Sequence, residues 1–124
     1  MKTILIVEDN DKNMKLARDI LQARGYATLE AVNGLDGVRL ALAHKPDLVL
    51  MDIQLPDING IEAFGRIRAH ADTASVPIVA FTASVMSNDR NRITDAGFDG
   101  FIGKPINLKE FLATVARVIE GQGA

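Results

Sequence analysis

The feature that most constrains the fold of this chain is an alternation. Short apolar runs at residues 4–7, 47–51, 77–81 and 100–102, and a weaker one at 26–31, are separated by segments whose apolar residues recur at helical spacing. Strands that alternate with helices imply βαβ units and a parallel sheet. A run such as Leu48-Val49-Leu50-Met51 lacks polar alternation, which indicates a strand covered on both faces. The expected architecture is doubly wound α/β: five parallel strands in the order 2-1-3-4-5 with five helices around them, in a single domain.

The helical segments differ in how much they have to bury. The last is the clearest, with Leu108, Phe111, Leu112, Val115, Val118 and Ile119 in one apolar stripe. Asn107 can cap its start, supported by Glu110 three residues on. The first spans about residues 10–24, buries Met14, Ala17, Ile20 and Leu21, and stops at Gly25. The second offers Leu35, Val38, Ala41 and Leu42, and the third offers Ile61, Phe64 and Ile67 after an Asn59-Gly60 turn. The fourth, about residues 87–96, has Ile93 and Ala96 and little else apolar, so packing holds it weakly.

In doubly wound sheets ligands bind beyond the carboxyl ends of the strands, where the strand order reverses. Here that point falls between the first and third strands. The first strand ends Val7-Glu8-Asp9-Asn10 and the third ends Leu50-Met51-Asp52, so neighbouring strands would bring three carboxylates together. Like charges raise one another's pKa or demand a cation, and a hard oxygen site with open positions suits Mg²⁺. The fourth strand ends in Thr82 and the fifth leads into Lys104-Pro105. An acid cluster, a hydroxyl and an ammonium at one edge describe phosphoryl transfer: a carboxylate nucleophile, with metal, hydroxyl and lysine neutralising the phosphoryl oxygens.

Each residue also has an ordinary explanation. An aspartate or asparagine after a strand often caps the next helix or opens a turn. Thr82 can cap, and Lys104 can be a solvated charge before a proline turn. Separate capping does not explain the coincidence of Asp, Asp, Thr and Lys at the ends of strands 1, 3, 4 and 5.

From end to end the chain resembles the receiver (CheY-like) domain of response regulators. The residues that carry the likeness are Ile4-Leu5-Ile6-Val7-Glu8-Asp9-Asn10, Leu48-Val49-Leu50-Met51-Asp52, Leu55-Pro56 with Asn59-Gly60, Phe81-Thr82-Ala83 and Lys104-Pro105. The resemblance implies a flavodoxin-like (βα)5 fold with Asp52 as phosphoacceptor. It implies Glu8, Asp9, Asp52 and the Gln54 backbone carbonyl as the Mg²⁺ site, Asp9 directly and Glu8 through water. Thr82 and Lys104 would bond phosphoryl oxygens, with the Lys104-Pro105 peptide cis. Thr82 and Phe101 would form the switch, Phe101 turning inward as Thr82 moves; ordinary core packing is the other reading of Phe101. Gln54 and Ser84 would tune the lifetime of the acyl phosphate. The implied partners are a histidine kinase or phosphotransfer protein and a downstream protein that reads the helix 4–strand 5–helix 5 face. Within the family, Asn10-Asp11-Lys12-Asn13-Met14-Lys15-Leu16 and Met51-Asp52-Ile53-Gln54-Leu55-Pro56 resemble stand-alone regulators of bacterial cell division and polarity. Similar strings occur in the receivers of hybrid histidine kinases.

Rival chemistries fit less well. A haloacid-dehalogenase-like phosphatase needs D-x-D-x-T/V after the first strand, and in Asp9-Asn10-Asp11-Lys12-Asn13 the last residue breaks it. A calcium loop starting at Asp9 needs Gly sixth and Glu twelfth, where Met14 and Ile20 stand. No glycine-rich turn follows the first strand, as a dinucleotide site requires. A binding module that never takes phosphate is disfavoured by the complete residue set. His44 and His70 fall near helix ends, where imidazole is ordinary.

The net charge of −2 implies no general attraction to nucleic acid, and no apolar run approaches the length of a membrane span. The chain has no cysteine, which excludes disulfides and thiolate chemistry and suits a reducing compartment. The expectation is a cytoplasmic receiver over residues 1–120 with a short tail at 121–124, no output domain, and a monomer or weak homodimer.

Overall fold

The computed structural model describes residues 1–83 and 87–121, the side chains of 87–90 excepted. The elements follow in strict alternation: β1 (Thr3–Val7), α1 (Asp11–Ala23), β2 (Ala27–Ala31), α2 (Gly34–His44), β3 (Leu48–Met51), α3 (Gly60–Arg68), a 3₁₀ turn (Ala71–Thr73), β4 (Ile78–Thr82), α4 (Ser87–Ala96), β5 (Gly100–Gly103) and α5 (Leu108–Gly121). The strands form one parallel sheet in the order β2-β1-β3-β4-β5, as expected.

Period-two alternation along apolar strands divides the core in two. Ile4 and Ile6 of β1, Leu48 and Leu50 of β3, and Val79 and Phe81 of β4 face Met14, Ala17 and Leu21 of α1 and Phe111, Val115, Val118 and Ile119 of α5. The intervening Leu5, Val7, Val49, Met51 and Ile78 face Ala41 of α2 and Ala63, Phe64 and Ile67 of α3. Neither face of the central strands can be left to water, and this fixes the doubly wound arrangement.

Helix boundaries follow their local chemistry. Asn10, Asn33 and Asn59 each sit in extended conformation and accept a hydrogen bond from the amide three residues on, starting α1, α2 and α3. Asn107 does the same for Glu110 at the start of α5. Gly25, at φ 88°, ends α1 in the left-handed region.

Two expected core leucines are corrected. Leu35 is 48% exposed and Leu108 57% exposed. Helix α2 buries Gly34, Gly37 and Ala41 instead. A Cβ on Gly37 would lie 2.8 Å from Val7, so the helix comes too close to β1 for a large residue at that face. Leu108 stands at the first turn of α5, before the stripe reaches the sheet. Helix α4 has the thin face expected of it: among its described side chains Ile93 is buried and Ala96 half-buried. Its far end is secured by the next loop, where Phe98 stacks on Phe64 at 4.4 Å and Asp99 accepts from Arg68 at 2.9 Å.

Candidate functional site

The ends of β1, β3, β4 and β5 bring Glu8, Asp52, Thr82 and Lys104 to one edge of the sheet. Strand register produces the convergence. Val7 stands beside Met51, and the Asp52 N–H donates to the Val7 carbonyl at 3.0 Å. Glu8 and Asp52 therefore leave adjacent strands side by side. On the other flank Thr82 pairs with Gly103, and the Lys104 N–H donates to the Thr82 carbonyl at 3.0 Å. The lysine chain passes over the Phe81 ring, with Nζ 4.7 Å from its centroid. Its ammonium reaches Asp52 Oδ2 at 3.0 Å and also pairs with Glu8 Oε1. The Lys104-Pro105 peptide is cis.

These groups are deeply enclosed. Glu8 is 0% exposed, Asp52 3%, and the Lys104 side chain 11%. Thr82 is buried, Asp9 is exposed at the mouth, and Phe101 is half-buried on β5. Backbone donors complete the acids: Gln54 N–H donates to Asp52 Oδ1 at 3.0 Å, and Asn10 N–H to Glu8 Oε2 at 3.2 Å. Burial pushes the Glu8 carboxyl above its ordinary value, the neighbouring Asp52 adds to the rise, and Lys104 and the Asn10 N–H offset part of it.

The donor set fits a hard divalent cation. Glu8, Asp9 and Asp52 each offer a carboxylate oxygen, and these atoms lie within 4.8 Å of one another. Three carboxylates against one ammonium leave two formal negative charges in the pocket, and a doubly charged ion balances them. All-oxygen donors with one side open to solvent are what Mg²⁺ accepts.

Every expected site residue except Ser84, which lies outside the described residues, falls at this edge or on β5 beside it. Sequence reasoning missed three things. Lys104 bridges both acids instead of waiting for a ligand. Gly60 lies against the phosphoacceptor candidate's own backbone: a Cβ there would sit 2.8 Å from Ile53 Cα and closer still to the Asp52 carbonyl oxygen. Asp57 ties the β3–α3 loop to α2 through the Gly34 and Leu35 amides. The Asn59-Gly60 pair carried a signal, but one that a plain turn explains equally well.

A doubly wound sheet with buried acids and a lysine at its switch point defines a class of domains that handle phosphoryl groups or metal ions. The sequence matches the response regulator receiver domain family over residues 4–116, and the chain belongs to that family. It is 43% identical to the polar-differentiation response regulator DivK of Brucella anthropi over 92% of this chain and 93% of the relative. Among solved structures, a response regulator from Chloroflexus aurantiacus superposes with a TM-score of 0.91 at 27% identity, covering 96% of this chain and 98% of the other. The receiver domain of a Pseudomonas aeruginosa sensor histidine kinase, solved with a magnesium ion coordinated in its active-site cleft, gives a TM-score of 0.89 at 34% identity over the same shares.

Proposed function

We propose that the chain accepts a phosphoryl group on Asp52 from a histidine kinase or phosphotransfer protein and signals by contact with other proteins. The supporting observation is the buried Asp52 carboxylate sharing the Lys104 ammonium with Glu8 at the reversal of strand order, with Thr82 one strand away. On this reading an Asp52 oxygen attacks the phosphorus of a phosphohistidine. The new O–P bond forms as the P–N bond breaks, and the imidazole leaves with the electron pair and takes a proton from solvent. Lys104 shifts its ammonium from the carboxylates to a phosphoryl oxygen, and the Thr82 hydroxyl serves another. Glu8, Asp9, Asp52 and the Gln54 carbonyl would hold Mg²⁺, which when bound supplies positive charge to the reacting oxygens. Positioning and charge neutralisation are the whole of the chemistry asked of the protein. The domain catalyses only its own phosphorylation and the later hydrolysis of the acyl phosphate, whose lifetime Gln54 and Ser84 tune.

The readout face is α4, β5 and α5, with Thr82 and Phe101 as the switch. Two observations favour it. Among the described side chains of α4 only Ile93 is fully buried, so two positions of the helix differ little in energy. Phe101 lines an open groove of about 440 Å³ shared with Asn107, Glu110 and Thr114 of the α5 end. The likeness to DivK motivates a role in cell polarity or division. Among the described residues no helix is long and apolar enough to cross a membrane, and the proposed compartment is the cytoplasm. We propose that residues 1–120 act as one receiver unit, as monomer or weak homodimer.

The test is intact mass after incubation with acetyl phosphate, with and without Mg²⁺, for wild type and Asp52→Asn. A Mg²⁺-dependent gain of one phosphoryl group that Asp52→Asn abolishes supports the reading. No gain, or a gain that survives the substitution, overturns it.

A further inference from the structure

We infer that Asp57 is a positioning residue for the metal-binding loop, latching it to the N-terminus of α2. The inference rests on the proposed receiver chemistry and adds to it a residue outside the acid pocket.

The first turn of any helix leaves four N–H groups without intrahelical partners. In α2 these belong to the cap Asn33 and to Gly34, Leu35 and Asp36; the helical ladder itself starts at Gly37, whose N–H donates to the Asn33 carbonyl at 3.1 Å. The Asn33 side chain accepts from Asp36 at 2.8 Å. Gly34 and Leu35 are served by a carboxylate more than twenty residues away. Asp57 Oδ1 accepts from Gly34 at 2.7 Å and Oδ2 from Leu35 at 2.8 Å. Both oxygens are engaged, and the anion sits where the helix dipole favours it. Desolvation raises the Asp57 carboxyl, but these amides and nearby loop amides more than offset it and hold the group below its ordinary value.

Apolar contact fixes the same joint. Ile58 packs against Gly34 so closely that a Cβ there would lie 2.5 Å from Ile58 Cγ1. Two hydrogen bonds and one close contact therefore join residues 57–58 to the start of α2.

The latched segment is the one that carries the site. Residues 52–59 run from the phosphoacceptor through Gln54 to the cap of α3. The loop returns on itself where the Gly60 N–H donates to the Ile53 carbonyl at 2.9 Å, and the Gln54 N–H donates to Asp52 Oδ1. A carbonyl can act as a metal ligand only if its peptide is held in place, and Gln54 itself is exposed. Asp57 holds the outer side of that turn against a rigid helix. Its own carboxylate is committed to α2, so its effect on the metal passes through the loop backbone.

The experiment compares Asp57→Ala, Asp57→Asn and Asn33→Ala with wild type. Asn33→Ala removes a cap of the same helix without touching the loop. Mg²⁺ affinity is read from backbone amide shifts in a Mg²⁺ titration, stability from urea unfolding without metal. The Mg²⁺ concentration for half-maximal phosphorylation by acetyl phosphate is measured beside the maximal rate. The expected result is a fall in Mg²⁺ affinity of about tenfold for Asp57→Ala, the low end of what losing the support of a metal ligand costs. Asp57→Asn, which keeps one acceptor oxygen, should fall between. Asn33→Ala should lose stability and bind Mg²⁺ as wild type does. If Asp57→Ala and Asp57→Asn bind Mg²⁺ like wild type, or if Asn33→Ala loses affinity to the same degree, the latch is refuted while the receiver chemistry stands. If wild type itself binds no Mg²⁺, the metal-site reading falls and the latch with it.

Discussion

Substituting Lys104 by Met is the sharpest perturbation of the pocket, because one ammonium serves two buried acids. Its side chain is 11% exposed, and those of Glu8 and Asp52 are 0% and 5%, so water screens the pairs little. Removing one partner of a buried ion pair costs about 3–5 kcal/mol, most of it the penalty of leaving the other charge unpaired. Asp52 keeps the Gln54 amide and Glu8 keeps the Asn10 amide. The expected loss is therefore near the lower figure, about 3 kcal/mol at pH 7.5 in metal-free buffer. The pH dependence has a definite sign. Burial already holds Glu8 above the ordinary glutamate value of 4.5, and removing the lysine raises it further. A carboxyl raised in the folded state contributes stability that is fully present below its unfolded pKa and is lost as pH rises through its folded pKa. The gap between wild type and Lys104→Met should thus be widest near pH 8 and narrow as pH falls toward 4.5. Adding Glu8→Gln to Lys104→Met should recover part of the loss. Urea unfolding from pH 5 to 8 measures all of this. A gap below about 1 kcal/mol at pH 7.5, the worth of an exposed pair, or a gap that does not change with pH, would refute the reasoning.

Other substitutions probe the frame around the pocket. Gly60→Ala puts a methyl against the Asp52 and Ile53 backbone, which cannot turn aside as a side chain can; it should cost about 1–3 kcal/mol and slow phosphoryl uptake by up to about 100-fold, read by urea unfolding and intact mass. Asp99→Ala removes the carboxylate that accepts from the Ile78 amide at 2.8 Å and from Arg68 at 2.9 Å. It should cost about 2 kcal/mol and loosen the loop that fixes the end of α4, read as faster amide exchange in residues 91–99. Asp57→Asn should flatten the acid limb of the stability curve, because a carboxyl lowered in the folded state contributes stability that is lost as pH falls through its folded pKa; the comparison runs below pH 4.

The fold was legible because its signals were redundant. Each central strand is apolar on both faces, so a sheet covered on both sides could be expected without knowing how its helices are oriented. Asn107 and the Asn59-Gly60 turn marked the starts of α5 and α3, and Gly25 the end of α1, to within a residue or two. The errors came where distance between elements, not hydrophobicity, decides burial. Leu35 was read as core because it is apolar and periodic, yet Gly37 faces Val7 of the sheet and Gly34 faces Ile58 of the β3–α3 loop, and a helix that packs through glycine leaves its leucine in water. The acid site was legible for a different reason, since parallel order alone brings the ends of β1 and β3 together. Its supports were not. Asp57 acts through contacts with α2, more than twenty residues away, and Gly60 through the fold-back of its own loop onto Asp52 and Ile53; alone each reads as an ordinary turn residue.

The pocket also shows why the strands can carry so unfavourable a cluster. Its acids begin where the ladder ends: Glu8 N–H donates to Ala31 and Asp52 N–H to Val7, so the backbone is satisfied whatever the side chains hold. The charge problem is confined to side chains, and one flexible ammonium answers part of it. A lysine suits this role because its point charge can change partners without a fixed fork to realign. On the receiver reading, a phosphoryl group on Asp52 adds negative charge beside that ammonium and draws it off Glu8. Lys104 is joined by its own N–H to the Thr82 carbonyl, and Thr82 is paired with Gly103. A shift of the lysine is therefore felt first where β4 and β5 end, beside Phe101. The next helix on that side is α4, whose described side chains bury only Ile93 fully. On that reading the displaced charge is passed toward the element with least to lose by moving.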